Sequence, residues 1–190
     1  MGVNKGLLIV LSGPSGVGKG TIRKALFERK NQKFIYSISM TTRKMRDGEE
    51  DGKDYYFVSK EEFLKRIEEG KFLEYAQFVG NYYGTPLDKV DDQRNLGNDV
   101  ILEIEVDGAM QVKKKEPDAI TIFILPPTKE DLYKRLVNRG TETEEVIKKR
   151  IERSDFELSL AKNYDYTVIN DEVENAVDKI IEIINSNHKK

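Results

Sequence analysis

Apolar residues along this chain follow two rhythms, and their alternation predicts an α/β protein. Residues 7–11, Leu-Leu-Ile-Val-Leu, form an unbroken apolar run, the pattern of a strand buried on both faces of a parallel sheet. A glycine-rich turn follows, then a helix over about 21–29. Residues 34–38 read as a second strand, after which periodicity dissolves through 39–49 into hydroxyls and cations, the composition of a loop. A strand is predicted at 55–58. Ser59-Lys60-Glu61-Glu62 is a capping box ahead of Phe63, Leu64 and Ile67 at helical spacing, with Gly70 as the stop. Residues 72–79 predict a strand and 80–86 a turn. Strand-on-strand connections without βαβ crossovers mark roughly 39–88 as an insertion beside the main sheet.

The main sheet resumes at 99–106. There Val100, Leu102, Ile104 and Val106 alternate with Ile101, Glu103, Glu105 and Asp107, so a period of two puts Glu103 and Glu105 on one face. A short helix precedes Pro117, and 120–125 is a wholly apolar strand closed by Pro126-Pro127. Thr128 caps a helix that turns Leu132 and Leu136 to the core. A charged, hairpin-like excursion at 139–145 leads into a helix through about 161 carrying Ile147, Arg150, Ile151 and Leu158. Residues 166–169 are the last strand, and Val173, Ala176, Val177, Ile180, Ile181 and Ile184 draw a helical stripe. The expected architecture is a parallel sheet core flanked by helices, with a nucleotide at the carboxyl end of its first strand.

The turn after the first strand, Gly13-Pro14-Ser15-Gly16-Val17-Gly18-Lys19-Gly20-Thr21, carries the strongest chemistry. Its Gly13, Gly18 and Lys19 have the spacing of a phosphate-binding loop between strand and helix. Glycines at 13, 16 and 18 let successive N–H groups face the inside of one curve, while the helix N-terminus and the Lys19 ammonium favour a polyphosphate at that spot. Gly20 stands where a hydroxyl usually follows the lysine. The hydroxyl that would meet Mg²⁺ arrives one position later, at Thr21, about 100° further round the helix. Phosphoryl transfer is mostly positioning and charge stabilisation, and cations are at hand in Arg43 and Arg46 on the aperiodic loop and in Arg135, Arg139 and Arg150 around the charged excursion. Each of these arginines is read either as a phosphate contact or as an ordinary solvated cation, and Tyr55, Tyr82 and Tyr83 either as packing or as substrate contacts.

Composition narrows the field. The 190 residues fit one domain with small insertions, and a net charge of −2 with interspersed signs gives no field for nucleic acid or a membrane surface. With no cysteine, disulfides, thiolate catalysis and Cys-ligated zinc are excluded, and the single histidine, His188 in the polar tail, excludes histidine acid/base catalysis. No apolar run reaches the roughly 18 residues of a membrane span and no secretory pattern opens the chain, so a cytoplasmic protein is expected. Nothing in the spacing speaks for or against self-association.

The motifs GPSGVGKGT at 13–21, S-x-S-M-T-T-R-x-x-R at 37–46, G-x-D-Y at 52–55 and E-Y-A-x-F-x-G-N-Y-Y-G-T at 74–85 are joined by L-E-I-E-V-D-G at 102–108, R-L-x-x-R-G-T-E at 135–142 and V-I-N-D at 168–171. Together they make the chain resemble bacterial-type guanylate kinases over nearly its whole length. The resemblance implies a P-loop nucleoside monophosphate kinase-like fold. Its core would be 1–38, 89–134 and 152–190, its mixed α/β GMP-binding insertion 39–88, and its helical lid 135–151. It also implies transfer of the γ-phosphoryl of ATP to GMP or dGMP under Mg²⁺, giving ADP and GDP, in purine nucleotide metabolism and GMP recycling.

By the same resemblance, residues 13–21 with Lys19 hold ATP, and Asn170 lies near its adenine. Arg43, Arg46, Tyr55 and Tyr83 grip the GMP phosphate. Ser39, Glu74 and Thr85 read the base with help from Glu105, Glu103 and Thr21 stand near the metal, directly or through water, and Arg135, Arg139 and Arg150 come onto the phosphates. Glu105 and Asp107 depart from the family's Asp and Gln at those positions, and Glu105 keeps the carboxylate with a longer reach. A carboxylate such as Glu74 suits guanine because it can accept from both N1–H and the 2-amino group, while a Ser39 or Thr85 hydroxyl donates to O6. Adenine would leave that carboxylate unpaired, a discrimination of roughly 10⁴-fold. Two rival readings are another nucleoside monophosphate kinase and a non-catalytic phosphopeptide-binding module. Such modules have typically lost the loop lysine, which is intact here as Lys19.

Overall fold

Strand β1, Leu8–Ser12, is buried along its whole length. Its five side chains are all buried, the pattern of a strand inside a parallel sheet. The computed structural model describes residues 4–30, 32–137 and 144–189. Its strands form two sheets, one of five strands and one of four, and the chain divides into two compact units. One unit comprises Ile9–Gln32, Glu103–Val106 and Ile120–Lys190, the other Met1–Leu8, Lys33–Leu102 and Asp107–Ala119.

In the first unit β1 pairs in parallel with β8, Ile120–Leu125, in register Ile9↔Ile120 to Ser12↔Phe123. β8 pairs in parallel with β9, Tyr166–Ile169. Helices α1 (Lys19–Glu28), α5 (Lys129–Val137), α6 (Glu144–Ser159) and α7 (Val173–Asn187) accompany them, with a 3₁₀ turn at Ala161–Asn163. α7 buries Ala176, Val177, Ile180, Ile183 and Ile184, so the expected stripe holds but passes through Ile183 rather than Ile181. Thr128 caps α5, its Oγ1 accepting from Asp131 N at 3.1 Å, and Leu132 and Leu136 are buried as expected. α6 differs: it buries Ser154 and Glu157, while Ile147, Ile151 and Leu158 are only half-buried.

In the second unit β2 (Phe34–Tyr36) pairs in parallel with β7 (Asp99–Glu103). The four-stranded sheet has the order β4-β3-β6-β5, built from β3 (Met40–Thr41), β4 (Tyr56–Phe57), β5 (Phe72–Phe78) and β6 (Asn81–Pro86). β3–β4 is parallel and the other two pairings antiparallel. Helix α2 (Lys60–Glu68) starts at the expected Ser59 cap, with Glu62 N donating to Ser59 Oγ at 3.1 Å. The small core stacks Phe63 on Phe72 at 4.4 Å beside Met40, with Tyr56, Val58, Ile67 and Tyr82 around it.

Several expectations are corrected. Residues 81–86 are a strand rather than a turn: only Val79 and Gly80, both at positive φ (47° and 78°), make the reversal. Two successive positive φ values give a turn whose twist matches a hairpin, and the β-forming Tyr82 and Tyr83 then pair with Gln77 and Ala76. The loop at 39–49 contains the two-residue β3, and residues 87–95, for which the pattern predicted no element, form α3 (Leu87–Asn95). β7 ends at Glu103, short of the expected 106, because α4 (Val106–Lys115) begins at once.

Candidate active site

The phosphate loop is shaped by glycines that no other residue could replace. Gly13 has φ +151°, and a Cβ there would lie 2.6 Å from the Ile124 carbonyl oxygen. Gly18 has φ +98° as the N-cap of α1, and a Cβ would lie 2.6 Å from Asn170 Nδ2. α1 therefore starts at Lys19, two residues before the sequence suggests, and Lys19, Gly20 and Thr21 occupy its first turn, where the N–H groups are unpaired within the helix. Lys19 Nζ donates to the carbonyls of Gly13 at 2.6 Å and Pro14 at 3.1 Å. A cavity of about 600 Å³ opens on this loop, lined among others by Ser15, Gly16, Thr21, Glu103, Glu105 and Glu157.

Charge in the cavity is balanced around Lys19. Burial pushes its ammonium below the ordinary lysine value, while Glu103, Glu157 and Glu105 pull it back up. Glu103 Oε2 is 2.8 Å from Arg23 Nε. Glu103 and Glu105 do come together, though not by strand alternation: Glu105 lies past the end of β7, in the link to α4, and reaches the phosphate cavity. Glu157 was not singled out by the sequence. It is 6% exposed and accepts from Arg153 Nε at 2.8 Å. The signal for it is the spacing of Arg150, Ser154 and Glu157, four and three residues apart, which puts a polar face on a helix read for its apolar stripe.

Two other expected residues brace the loop from behind. Asn170, 5% exposed at the end of β9, donates from Nδ2 to the Val17 carbonyl at 2.8 Å, and its own N–H donates to the Leu125 carbonyl at 2.8 Å. Arg135 on α5 reaches the same Val17 carbonyl through Nη1 at 3.4 Å. Arg150 is half-buried on α6. Arg139, and most of the charged excursion at 139–145, lie outside the described residues.

In the four-stranded sheet a second set of residues gathers. Arg43 forms a two-pronged pair with Glu49 and donates from Nη1 to the Lys44 carbonyl at 2.8 Å. Its guanidinium lies 5.4 Å from the Tyr55 ring centroid and 5.7 Å from that of Phe57, and Tyr55 meets Tyr83 edge-on at 6.1 Å. Hydrogen bonding to Glu49 pushes Arg43 above its already high value. The Arg46 main chain donates to Glu49 Oε2 at 2.8 Å while its side chain is exposed. Ser39, half-buried, accepts at its carbonyl from Tyr56 N at 2.9 Å.

Glu74 and Thr85 are cross-strand partners in register on β5 and β6, 7% and 1% exposed. Thr85 Oγ1 donates to Glu74 Oε1 at 2.6 Å. A hydroxyl has a single proton, and in this arrangement Thr85 gives its own to Glu74, which orients the carboxylate.

An amide-lined loop with its lysine, opening from the first strand of a parallel sheet, in a chain that also forms a separate mixed sheet, defines a P-loop fold of the nucleoside monophosphate kinase type. The chain belongs to the guanylate kinase family, whose model, described as guanylate kinase, matches residues 5–187. It is 57% identical over 184 residues to the guanylate kinase of Streptococcus thermophilus (strain CNRZ 1066), covering 97% of this chain and 88% of that relative. It is 58% identical over 187 residues to the guanylate kinase of Onion yellows phytoplasma (strain OY-M), covering 98% and 88%. The crystal structure of guanylate kinase from Anaplasma phagocytophilum matches with a TM-score of 0.75 at 34% identity, over 100% of this chain and 90% of that one.

Proposed function

We propose that this chain is an ATP:GMP phosphotransferase that moves the γ-phosphoryl of ATP to GMP, giving ADP and GDP. Family membership supports the reaction, and one observation carries the choice of acceptor: a buried carboxylate, Glu74, held by a hydroxyl donor on the neighbouring strand. Guanine offers two adjacent donors to such a group and adenine does not, so a carboxylate fixed in place selects guanine.

The roles follow residue by residue. The loop 13–21, with Lys19, cradles the ATP phosphates, and Asn170 supports that loop. Ser39 and Glu74 read the base with Thr85 holding Glu74, and Arg43, Arg46, Tyr55 and Tyr83 take the GMP phosphate. Arg135, Arg139 and Arg150 spread charge from the transferring group, and no general base is required because the acceptor oxygen is already an anion. Glu105, which lines the cavity at Lys19, joins the phosphate side of the site. Residues 39–88 are the GMP lobe, 135–151 the lid, and 1–38, 89–134 and 152–190 the core; the reaction is placed in the cytoplasm.

The oxygens at the phosphate cavity fit Mg²⁺. Thr21 and Glu103 line it, and among the described residues no group of three or more acidic or imidazole side chains forms an all-protein cage, in keeping with an ion that shares its shell with substrate phosphates. Thr21 and Glu103 would hold Mg²⁺, directly or through water, and when bound it neutralises charge on the phosphates.

The test is ADP release by the purified chain with GMP and with AMP as acceptor, beside Lys19→Met. GMP-dependent turnover should exceed AMP-dependent turnover by roughly 10⁴-fold in kcat/KM. Lys19→Met should lower kcat by about 10³-fold or more with the fold intact, since it removes a preorganised charge from the transferring group. Equal use of AMP, or no GMP-dependent turnover, overturns the proposal.

A further inference from the structure

Helix α4 presses on strand β5 at three successive points that share one helix face: Gly108, Gln111 and Lys115. Lys115 Nζ donates to the Phe72 carbonyl at 2.6 Å. Gln111 takes both main-chain groups of Tyr75, its Nε2 donating to the carbonyl at 3.1 Å and its Oε1 accepting from the N–H at 3.2 Å. β5 is an edge strand, so this side-chain amide stands where a neighbouring strand's peptide would pair. Glu74 lies inside the span so fixed. Gly108 meets it directly: a Cβ at that position would sit 2.9 Å from Glu74 Oε2, 3.3 Å from Cδ and 3.4 Å from Cγ.

The glycine is not there for its backbone. Gly108 is absent from the positive-φ residues, and glycine is a poorer helix former than alanine. What its position supplies is the missing Cβ, whose space the carboxylate fills. On its other side Glu74 is tied by the 2.6 Å bond from Thr85. The carboxylate is therefore gripped between a strand hydroxyl and a bare helix backbone, with Gln111 fixing the main chain one residue on.

We infer that Gly108, supported by Gln111, is a positioning residue that sets the depth and tilt of the Glu74 carboxylate and so determines guanine recognition. The inference rests on the reading of Glu74 as the group that meets the base. A methyl at position 108 displaces the far end of a flexible side chain rather than any backbone, so the fold adapts easily. The displaced carboxylate keeps its Thr85 donor at Oε1 but loses its aim at Oε2, so recognition suffers while stability does not.

Steady-state kinetics and thermal unfolding of the full chain test this with Gly108→Ala, Gln111→Ala, Glu74→Ala and the Gly108→Ala/Glu74→Ala double variant. Gly108→Ala should raise KM for GMP by about tenfold or more, with KM for ATP within about twofold of wild type and Tm no lower. Gln111→Ala should show a smaller loss confined to GMP, and in the Glu74→Ala background Gly108→Ala should add nothing. Wild-type KM for GMP in Gly108→Ala, beside an impaired Glu74→Ala, overturns the positioning role and leaves the reading of Glu74 standing. A Gly108→Ala protein with lower Tm and both KM values raised is merely destabilised, and this also overturns it. Wild-type GMP kinetics in Glu74→Ala overturns the reading of Glu74 itself, and the inference with it.

Discussion

The guanidinium of Arg43 and the carboxylate of Glu49 meet as a two-pronged pair, Nη1 to Oε2 at 2.9 Å and Nη2 to Oε1 at 2.7 Å, and the same Oε2 accepts from the Arg46 main chain at 2.8 Å. One carboxylate thus organises the loop that bears both arginines proposed for the GMP phosphate. Bidentate pairs of this kind fix the plane of the guanidinium as well as its place.

Glu49→Gln keeps the shape but removes the charge and one acceptor oxygen. Arg43 then loses its fixed plane over Tyr55 and Phe57. KM for GMP should rise by about tenfold, the scale of one charge-assisted hydrogen bond, with KM for ATP unchanged. Steady-state kinetics with each substrate varied in turn will show this. An unchanged or lowered KM for GMP would mean that Glu49 competes with the phosphate instead of preparing for it.

The same pair has a pH signature. Hydrogen bonding from Arg43, then from the Arg46 main chain, holds the Glu49 carboxyl down to about 2, against an ordinary value of 4.5. A group whose folded-state value is depressed stabilises the fold fully above its unfolded value, and that contribution fades as pH falls toward the folded value. Wild type should therefore lose stability between about pH 4.5 and pH 2 more steeply than Glu49→Gln, as read from Tm across that range. Parallel acid limbs for the two proteins would be evidence against the assignment.

The loop 13–21 was legible because its structure is local: successive glycines and one lysine dictate the turn wherever it sits. The same holds for the Ser59 and Thr128 caps. What escaped the sequence depends on distant partners. α3 has only Leu87 and Val90 as apolar residues among nine, and beside Val90 its buried residue is Arg94, 9% exposed, whose Nε donates to the Gly6 carbonyl at 2.9 Å and whose Nη1 meets Glu116 at 3.2 Å. A charged residue used as core gives no hydrophobic period to read. β6 was hidden by Gly84 and Pro86, which punctuate a sequence like a turn yet sit in a strand whose partner is 3–14 residues upstream. Thr85 was placed in the site from its motif, but where its proton goes is a matter of cross-strand register.

Thr85→Val should separate that proton from the side chain's bulk. Loss of the donor leaves Glu74 Oε1 buried with one partner fewer, at a cost of about 1–3 kcal/mol. For a chain of this size the Tm should fall by about 2–10 °C and KM for GMP should rise, while Thr85→Ser, which keeps the hydroxyl, should recover most of both. Calorimetry and kinetics on the two variants decide the matter. A Thr85→Val protein as stable as wild type would show that the bond contributes nothing to the fold.

Asn170 offers the sharpest contrast between touching a nucleotide and shaping the loop that holds it. Its Nδ2 donates to Val17 O at 2.8 Å and packs where a Gly18 Cβ would be, so its effect on ATP runs through the backbone curve. Asn170→Leu roughly preserves volume and deprives a buried carbonyl of its donor, which should raise KM for ATP by about tenfold with KM for GMP unaffected. Because the loop is proposed to meet phosphates and not bases, the loss should be the same when another nucleoside triphosphate replaces ATP as phosphoryl donor. Competition between ATP and a second triphosphate in one assay would expose any difference. A variant that weakens ATP alone, shifting the preference between donors, would instead make Asn170 a reader of adenine.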